Sequence, residues 1–183
     1  GGDSTQLTCK GQPYVSSSRR LPQTIATFGA SVGGCPTISD WRGQYWNNKG
    51  LSGNPVLCRN DGSVDFNWGG GSPDPSKVPS DGFSARWTRS WNFEASNYRF
   101  HLRGDDGLRL YLDNNLVIDQ WKDQGRTEYT VDVYMNAGAH ELKVEYYENG
   151  GDANVALWWD KLETGNCPTI SDWRGQYWNN KGL

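Results

Sequence analysis

The chain has 183 residues, 18 basic and 21 acidic side chains, and a formal net charge of −3. That balance excludes the basic stripe that a nucleic acid or an anionic membrane surface requires, and no apolar run approaches the roughly 20 residues of a membrane-crossing helix. Gly at 23 residues and aromatics at 13% describe a turn-rich, aromatic-cored chain of the all-β kind, long enough to bury a core without metals or disulfides.

Residues 1–34 are rich in Ser, Gly and Thr, carry the Arg19-Arg20 pair and show little periodicity. They read as a linker or as the tail of a preceding domain. The chain opens on Gly1, and its single Met is Met135, so it is expected to be a processed protein or a fragment. No basic and apolar leader precedes it, so a signal peptide is expected to have been removed or to lie upstream. No Asn-x-Ser/Thr sequon occurs.

Beyond residue 34 the pattern is nearly all strand and turn. Arg42 to Asn47 alternates polar with small or aromatic residues. Val64 to Trp68 alternates and runs into the loop Gly69 to Pro75. Phe83 to Phe93 carries Phe83, Ala85 and Trp87, then Trp91 and Phe93, which is read as a shift of phase with a turn or bulge near residues 88–90. Tyr98 to Arg103 alternates strictly, Asp105-Asp106-Gly107 turns, and Leu108 to Leu112 alternates again. Asp113-Asn114-Asn115 is a tight hairpin signal before Leu116-Val117-Ile118. Glu128 to Tyr134 and Glu141 to Tyr147 alternate, the second with Leu142, Val144 and Tyr146 inward. Asn149 to Asp152 is a loop, and Val155 to Trp159 closes the unit, with Trp158 and Trp159 on opposite faces. Many short strands with frequent turns predict an antiparallel β-sandwich or barrel.

The most informative feature is a repeat. Residues 35–51 read CPTISDWRGQYWNNKGL, and residues 167–183 read the same without a difference. The unit is therefore 35–166, and 167–183 is either the start of a next unit in a tandem array or a docking strand. A copy docking in the next molecule makes a head-to-tail contact, which generates open filaments unless it closes into rings.

The four cysteines, Cys9, Cys35, Cys58 and Cys167, form no CxxC pair. A zinc ribbon is not expected; disulfides in an oxidising compartment are. The favoured pairing is Cys58–Cys167 with Cys9–Cys35, because the first and last strands of a sandwich are often neighbours. The rival is Cys35–Cys58, which leaves Cys9 and Cys167 for other chains.

The segments Trp41-Arg42-Gly43-Gln44-Tyr45, Asp65-Phe66-Asn67-Trp68, Phe83-Ser84-Ala85-Arg86-Trp87, Tyr98-Arg99-Phe100, Asp105-Asp106-Gly107-Leu108-Arg109-Leu110, Val117-Ile118-Asp119 and Glu145-Tyr146-Tyr147-Glu148 resemble, in that order, the PA-fourteen domain. That domain is named for the N-terminal fragment of anthrax protective antigen. The resemblance covers about residues 41–160. It implies a β-sandwich or barrel module of secreted proteins, among them adhesins, glycosidases and toxins, few of which are enzymes through this domain. It also implies that Asp105-Asp106 matches the pair which, in lectin-type members, is joined by a cis peptide and binds calcium together with sugar hydroxyls. A second loop in those members adds an Asn and backbone carbonyls, and Asn149 to Asp152 is its expected counterpart. The expected calcium ligands are thus Asp105, Asp106, Asn149 and Asp152, with Asp105, Asp106 and Asn149 facing a glycan. Adjacent carboxylates repel unless a cation lies between them, and oxygen-rich loops are what calcium takes. The bland alternative is that Asp-Asp-Gly is simply a turn.

Other constellations are weaker. Arg103-Gly104-Asp105 spells an integrin tripeptide but reads as a strand end. Asp105, Asp106 and Glu148 invite comparison with a glycosidase carboxyl pair, yet no second motif accompanies them. His101 is expected to be packed or at the surface, and His140, after a turn, to be solvated. The ten Trp can stack on sugars, but aromatics at strand period more often fill a core. The expectation is a non-enzymatic module, extracellular or on a cell surface, serving as the building block of a tandem-repeat or filament-forming adhesive protein. Its partners are further copies of itself, with no nucleic acid and no membrane insertion. The alternative is a calcium-dependent, lectin-like adhesin module that binds cell-surface glycans.

Overall fold

The computed structural model describes residues 19–20, 35 and 38–162, which belong to a compact unit spanning residues 17–162. Among them are strands only: β1 (Arg19–Arg20), β2 (Trp41–Trp46), β3 (Leu57–Asp61), β4 (Asp65–Gly69), β5 (Phe83–Phe93), β6 (Ser96–Asp105), β7 (Gly107–Leu112), β8 (Asn115–Gln120), β9 (Thr127–Met135), β10 (Gly138–Glu148) and β11 (Ala153–Lys161). One sheet runs β1-β9-β6-β11-β4 and the other β3-β2-β5-β10-β7-β8. Every pairing is antiparallel except that of the two-residue β1 with β9. The expected all-β antiparallel sandwich is what forms.

Alternation explains the layers. In β6, Tyr98, Phe100 and Leu102 are buried while Arg99, His101 and Arg103 face outward. In β10, Leu142, Val144 and Tyr146 meet them from the opposite sheet. An aromatic chain runs through the middle: Tyr45 stands edge-on to Trp87 at 5.7 Å, Trp87 stacks on Phe66 at 5.5 Å, and Phe83 packs edge-on to Tyr146 at 5.8 Å. Each fully buried ring of this kind stabilises the fold by roughly 1.5–3 kcal/mol. The Asp113-Asn114 hairpin forms as the sequence predicts. Both residues have positive φ, 48° and 62°, between paired Leu112 and Asn115, as a type I′ turn demands.

Three expectations change, and one strand, β3, forms where the sequence announced none. β5 has no bulge: it pairs with β10 in unbroken register from Phe83↔Glu148 to Phe93↔Gly138. Residues 83, 85, 87, 89, 91 and 93 all share one face, and the apparent break is Arg89, a polar residue in an inward position. At the open rim its guanidinium lies 4.5 Å from the Trp91 ring centroid and 3.8 Å from Asp40. The strand β3 has no apolar alternation, and pairing with β2 makes it. His140 is buried, not solvated. Its Nε2 lies 3.1 Å from the Asn136 carbonyl and its Nδ1 2.6 Å from Asp113 Oδ2. Finally, Cys35 is bridged to Cys58, with Cα atoms 5.6 Å apart. The favoured Cys58–Cys167 and Cys9–Cys35 pairing therefore does not hold. Gln44 of β2 sits opposite Cys58 and its side-chain amide reaches Cys35 Sγ at 3.4 Å, while β11 lies in the other sheet from β3. Cys9, Cys167, the 167–183 copy and all of the 1–34 linker except residues 19–20 lie outside the described residues.

Candidate functional site

Three connections meet at one end of the sandwich. They are the β6–β7 turn at Asp105-Asp106, the β8–β9 loop (121–126) and the β10–β11 loop (149–152). The glycines that flank the acidic pair are required by close packing. A Cβ on Gly107 would lie 1.9 Å from the Tyr147 ring, and one on Gly104 would lie 2.6 Å from the Asn154 carbonyl oxygen. The Asp105–Asp106 peptide is cis, the geometry that the resemblance implied.

Asp106 is buried and ties the three connections together. Its Oδ1 accepts from the Gln124 backbone N–H at 2.9 Å and its Oδ2 from the Asn149 backbone N–H at 2.8 Å. The Gln124 side-chain amide donates to the Asp106 carbonyl at 2.9 Å and accepts from the Tyr129 hydroxyl at 2.6 Å. The Asp105 carboxyl is half-buried. Burial, then the neighbouring Asp106 charge, pushes its pKa up; Asp152 adds to the rise and a backbone N–H of Arg126 partly offsets it.

The third carboxyl is Glu148, the last residue of β10. Oxygens of Asp105, Asp106 and Glu148 all lie within 4.8 Å of one another. Glu148 has no exposed surface, and its Oε1 has no hydrogen-bond partner. Burial first, then the charges of Asp106 and Asp105, raises its pKa to about 7, against the opposing hydrogen bonds from Tyr146 and the Gly150 backbone. The Tyr146 hydroxyl lies 2.8 Å from Glu148 Oε2 and 2.5 Å from the Asp105 carbonyl. A hydroxyl has one proton to give. When Glu148 is protonated its acid proton goes to Tyr146 Oη, and the tyrosine donates onward to Asp105. Tyr146 itself is pushed well above the ordinary tyrosine range by burial and by the Glu148 charge.

Two unit charges about 4 Å apart at an effective dielectric of 20 interact by about 4 kcal/mol, against roughly 1 kcal/mol for a neutral hydrogen bond. Three ionised carboxylates at this spacing therefore need a proton or a cation among them. The donor set, hard oxygens with one aimed inward and unpartnered, fits a divalent ion of the calcium type. Asp105, Asp106 and Glu148 would hold it. Their spacing is tighter than the roughly 5–9.5 Å that separates glycosidase carboxyl pairs.

The structure thus brings together two of the four expected ligands. Asn149 reaches the cluster through its backbone. Its side chain is pinned at the rim, accepting from Lys49 Nζ at 2.8 Å and donating to Asp123 Oδ2 at 3.1 Å. Asp152 is exposed at the mouth and reaches Asp105 through its charge. The candidate metal-holding residue absent from the expected calcium set is Glu148, which the sequence had grouped with the two aspartates only as a glycosidase comparison, and a signal for it existed. The inward register Leu142, Val144, Tyr146 places Glu148 on the core face, where a carboxylate is out of place. Gln124 and Asp123 had no such signal, being loop residues without periodicity. His101 is half-buried on the outer face of β6, within the expected range of packed or at the surface. Its ring stacks on Trp158 at 4.8 Å and its Nδ1 lies 2.9 Å from Glu128. Trp159 turns the other way, onto Trp91 at 5.3 Å.

Comparison with known proteins follows the same outline. A family model described as the PA14 domain matches residues 42–173. The anti-sigma-I factor RsgI3 of Acetivibrio thermocellus is 40% identical over 125 residues, which are 67% of this chain and 19% of that protein. The chain therefore spans about a fifth of the length of that curated relative. A solved anti-sigma factor domain-containing protein from Clostridium clariflavum superposes with a TM-score of 0.62 at 35% identity, over 68% of this chain and 42% of that one. The PA14 sugar-binding domain from an RTX adhesin shares the fold, with a TM-score of 0.52 at 16% identity over 68% of this chain and 91% of its own. On the match to 42–173 and the shared architecture, this chain belongs to the PA14 domain family.

Proposed function

We propose that the sandwich is a non-enzymatic, extracellular binding module that seats a calcium ion on Asp105, Asp106 and Glu148 and engages a glycan beside it. The observation that carries this reading is the partnerless Glu148 oxygen, fully buried and facing two adjacent aspartates. A bound calcium ion supplies positive charge and open positions for the vicinal hydroxyls of a sugar. The chain's own part is to orient the carboxylates, through the Gln124 and Asn149 backbone N–H groups and the Tyr146 hydroxyl. The close carboxyl spacing supports a binding role over glycoside hydrolysis, and the Cys35–Cys58 bridge supports an oxidising compartment. The relatives named as anti-sigma factors carry a similar module within longer proteins, which fits a binding event used as an input.

The test is thermal unfolding in millimolar calcium and in chelator, followed by glycan-array binding with and without calcium. Calcium should raise the midpoint by mass action, and Asp105→Asn with Asp106→Asn should remove both the shift and any glycan signal. Identical midpoints in calcium and chelator would sink the reading.

A second reading is favoured by the identical segments 35–51 and 167–183: the module is a building block of a tandem array or filament of like units. Negative-stain electron microscopy of the native material, with and without reductant, tests it. Filaments with an axial repeat of one domain support it, and isolated particles count against it.

A further inference from the structure

The carboxamide of Asn149 is held between partners of opposite charge. Its Oδ1 accepts from Lys49 Nζ at 2.8 Å, and its Nδ2 donates to Asp123 Oδ2 at 3.1 Å. Both partners are fixed from behind. Asp123 Oδ1 accepts from the Tyr147 hydroxyl at 2.6 Å, and the Lys49 ammonium lies 5.4 Å from the centroid of the same ring. Lys49 stands in a tight loop, where Asn48 Oδ1 accepts from the Gly50 and Ser52 backbone N–H groups at 3.1 and 3.0 Å. Three loops, 47–56, 121–126 and 149–152, thus converge on one amide group. Positive charge on the amide oxygen stabilises the oxyanion that forms when a nucleophile adds to Cγ, and the carboxylate fixes the nitrogen that has to leave.

The nucleophile is supplied by the next residue. Asn149-Gly150 is the only Asn-Gly pair in the chain. Both residues are exposed, and Gly151 follows with a φ of 110°. The Gly150 backbone nitrogen meets Asn149 Cγ by closing a small ring, and a residue without Cβ leaves that approach clear. Its N–H is turned to Glu148, which sets the plane of the 149–150 peptide. Attack within one residue pair replaces a collision by a bond rotation, the usual source of a high effective concentration.

We propose that Asn149 is a site of spontaneous deamidation promoted by Lys49, and that the carboxylate it yields adds one negative charge to the rim of the acidic cluster. The Gly150 N–Cγ bond forms and the Cγ–Nδ2 bond breaks. The proton given up by the Gly150 nitrogen leaves on Nδ2, as ammonia. Water then opens the succinimide at either carbonyl and leaves an aspartyl or isoaspartyl residue at position 149. No oxidant or cofactor enters. Lys49 touches the reacting carbonyl oxygen and Asp123 the leaving nitrogen, while Tyr147 positions them both.

The product changes the rim. A carboxylate oxygen replaces Nδ2 opposite Asp123, so a hydrogen bond becomes a contact between like charges. The new charge belongs to the residue whose backbone N–H holds Asp106 at 2.8 Å. Calcium sites tighten as ligand charge is added around them, so conversion strengthens the cation seat. This last effect rests on the calcium reading above; the deamidation itself does not.

The experiment keeps the folded full-length chain, and a synthetic peptide of residues 144–161 as the unfolded reference, in warm neutral buffer for several weeks. Tryptic mapping, which releases 144–161 as one product, follows the conversion of Asn149. It should be faster in the folded chain than in the peptide. Lys49→Met should slow it by about fivefold or more, and Lys49→Arg, which keeps a cationic donor, should restore most of the rate. Lys49 is exposed, so both variants should keep the parent's unfolding midpoint. Slower conversion in the fold than in the peptide overturns the proposal, as does a Lys49→Met rate equal to the parent's. So does a cross-link between 43–59 and 144–161, which makes Lys49 itself the nucleophile. Calcium titration reads the second half. Asn149→Asp should lower the calcium Kd by about threefold or more. An unchanged Kd overturns the charge effect alone, and a parent chain that binds no calcium overturns the calcium reading and the charge effect with it.

Discussion

Asp61 and Glu148 are both buried carboxylates beside buried tyrosines, and their surroundings are opposite. Asp61 accepts from the Tyr45 hydroxyl at 2.6 Å, the Trp87 indole at 2.9 Å and Arg59 Nε at 2.6 Å. Its charge is matched by a guanidinium that itself stacks on the Tyr45 ring at 4.8 Å. Glu148 has one tyrosine hydroxyl and the Gly150 backbone N–H, but also one partnerless oxygen, two acidic neighbours and no cation beside it among the described residues. The first arrangement is complete within the protein and holds β2, β3 and β5 together. The second is complete only with a proton or a cation. A buried acid saturated by donors is part of the fold, whereas one starved of donors is a place for something else to bind.

The largest expected effect lies on the saturated side. Asp61→Ala leaves Arg59 unpaired and two buried donors unsatisfied, and should cost about 3–5 kcal/mol in denaturant unfolding, as breaking a buried pair does. Glu148→Gln should move stability the other way. In chelator near pH 8 it removes a buried charge and should stabilise the chain by about 1–3 kcal/mol, while abolishing the calcium-induced shift. Loss of stability in Glu148→Gln would make the two acids alike and remove the contrast.

The pH dependence has a defined sign. The Glu148 pKa is about 7 in the fold against 4.5 as its ordinary value, so the folded state holds this proton more tightly than the unfolded one. The resulting stabilisation is complete below pH 4.5 and is lost as pH rises through 7. In chelator the Tm of the parent should fall over that window, the fall should be absent in Glu148→Gln, and calcium should suppress it. The smallest effect is expected at the rim. Asn149→Ala removes the bonds to Lys49 and Asp123 but keeps the backbone N–H on Asp106, so stability should change by less than about 1 kcal/mol. The calcium shift should persist; its disappearance would return the Asn149 side chain to the ligand set.

Much of the architecture was legible because a strand with one buried face must alternate. Tyr98 to Arg103, Leu108 to Leu112 and Glu141 to Tyr147 declare their inward residues directly. The Asp113-Asn114 turn was legible because few residues accept positive φ. Strand β3 was not, since Leu57 to Asp61 is a strand through its pairing with β2 and the bonds around Asp61, not through its own pattern. Arg89 was misread as a phase break because alternation alone does not say where the two sheets splay and admit a charge. At the candidate site, Asp105-Asp106 stood out as adjacent like charges. Glu148 was visible as the odd member of an apolar register, yet its meaning came only when the β6–β7 turn was set against the end of β10.

The sequence by itself determined the alternation, the acidic pair, the glycines around it and the identity of the two 17-residue segments, because these are local or compositional properties of the chain. Tertiary structure alone decided that Cys58 bonds Cys35, that His140 is buried on Asp113, and that Glu148 joins Asp105 and Asp106. Each of these depends on sheet order and register, which bring together residues separated by 23 to 43 positions along the chain. Long-range proximity of that kind is a property of the packed sheets, and no local pattern encodes it.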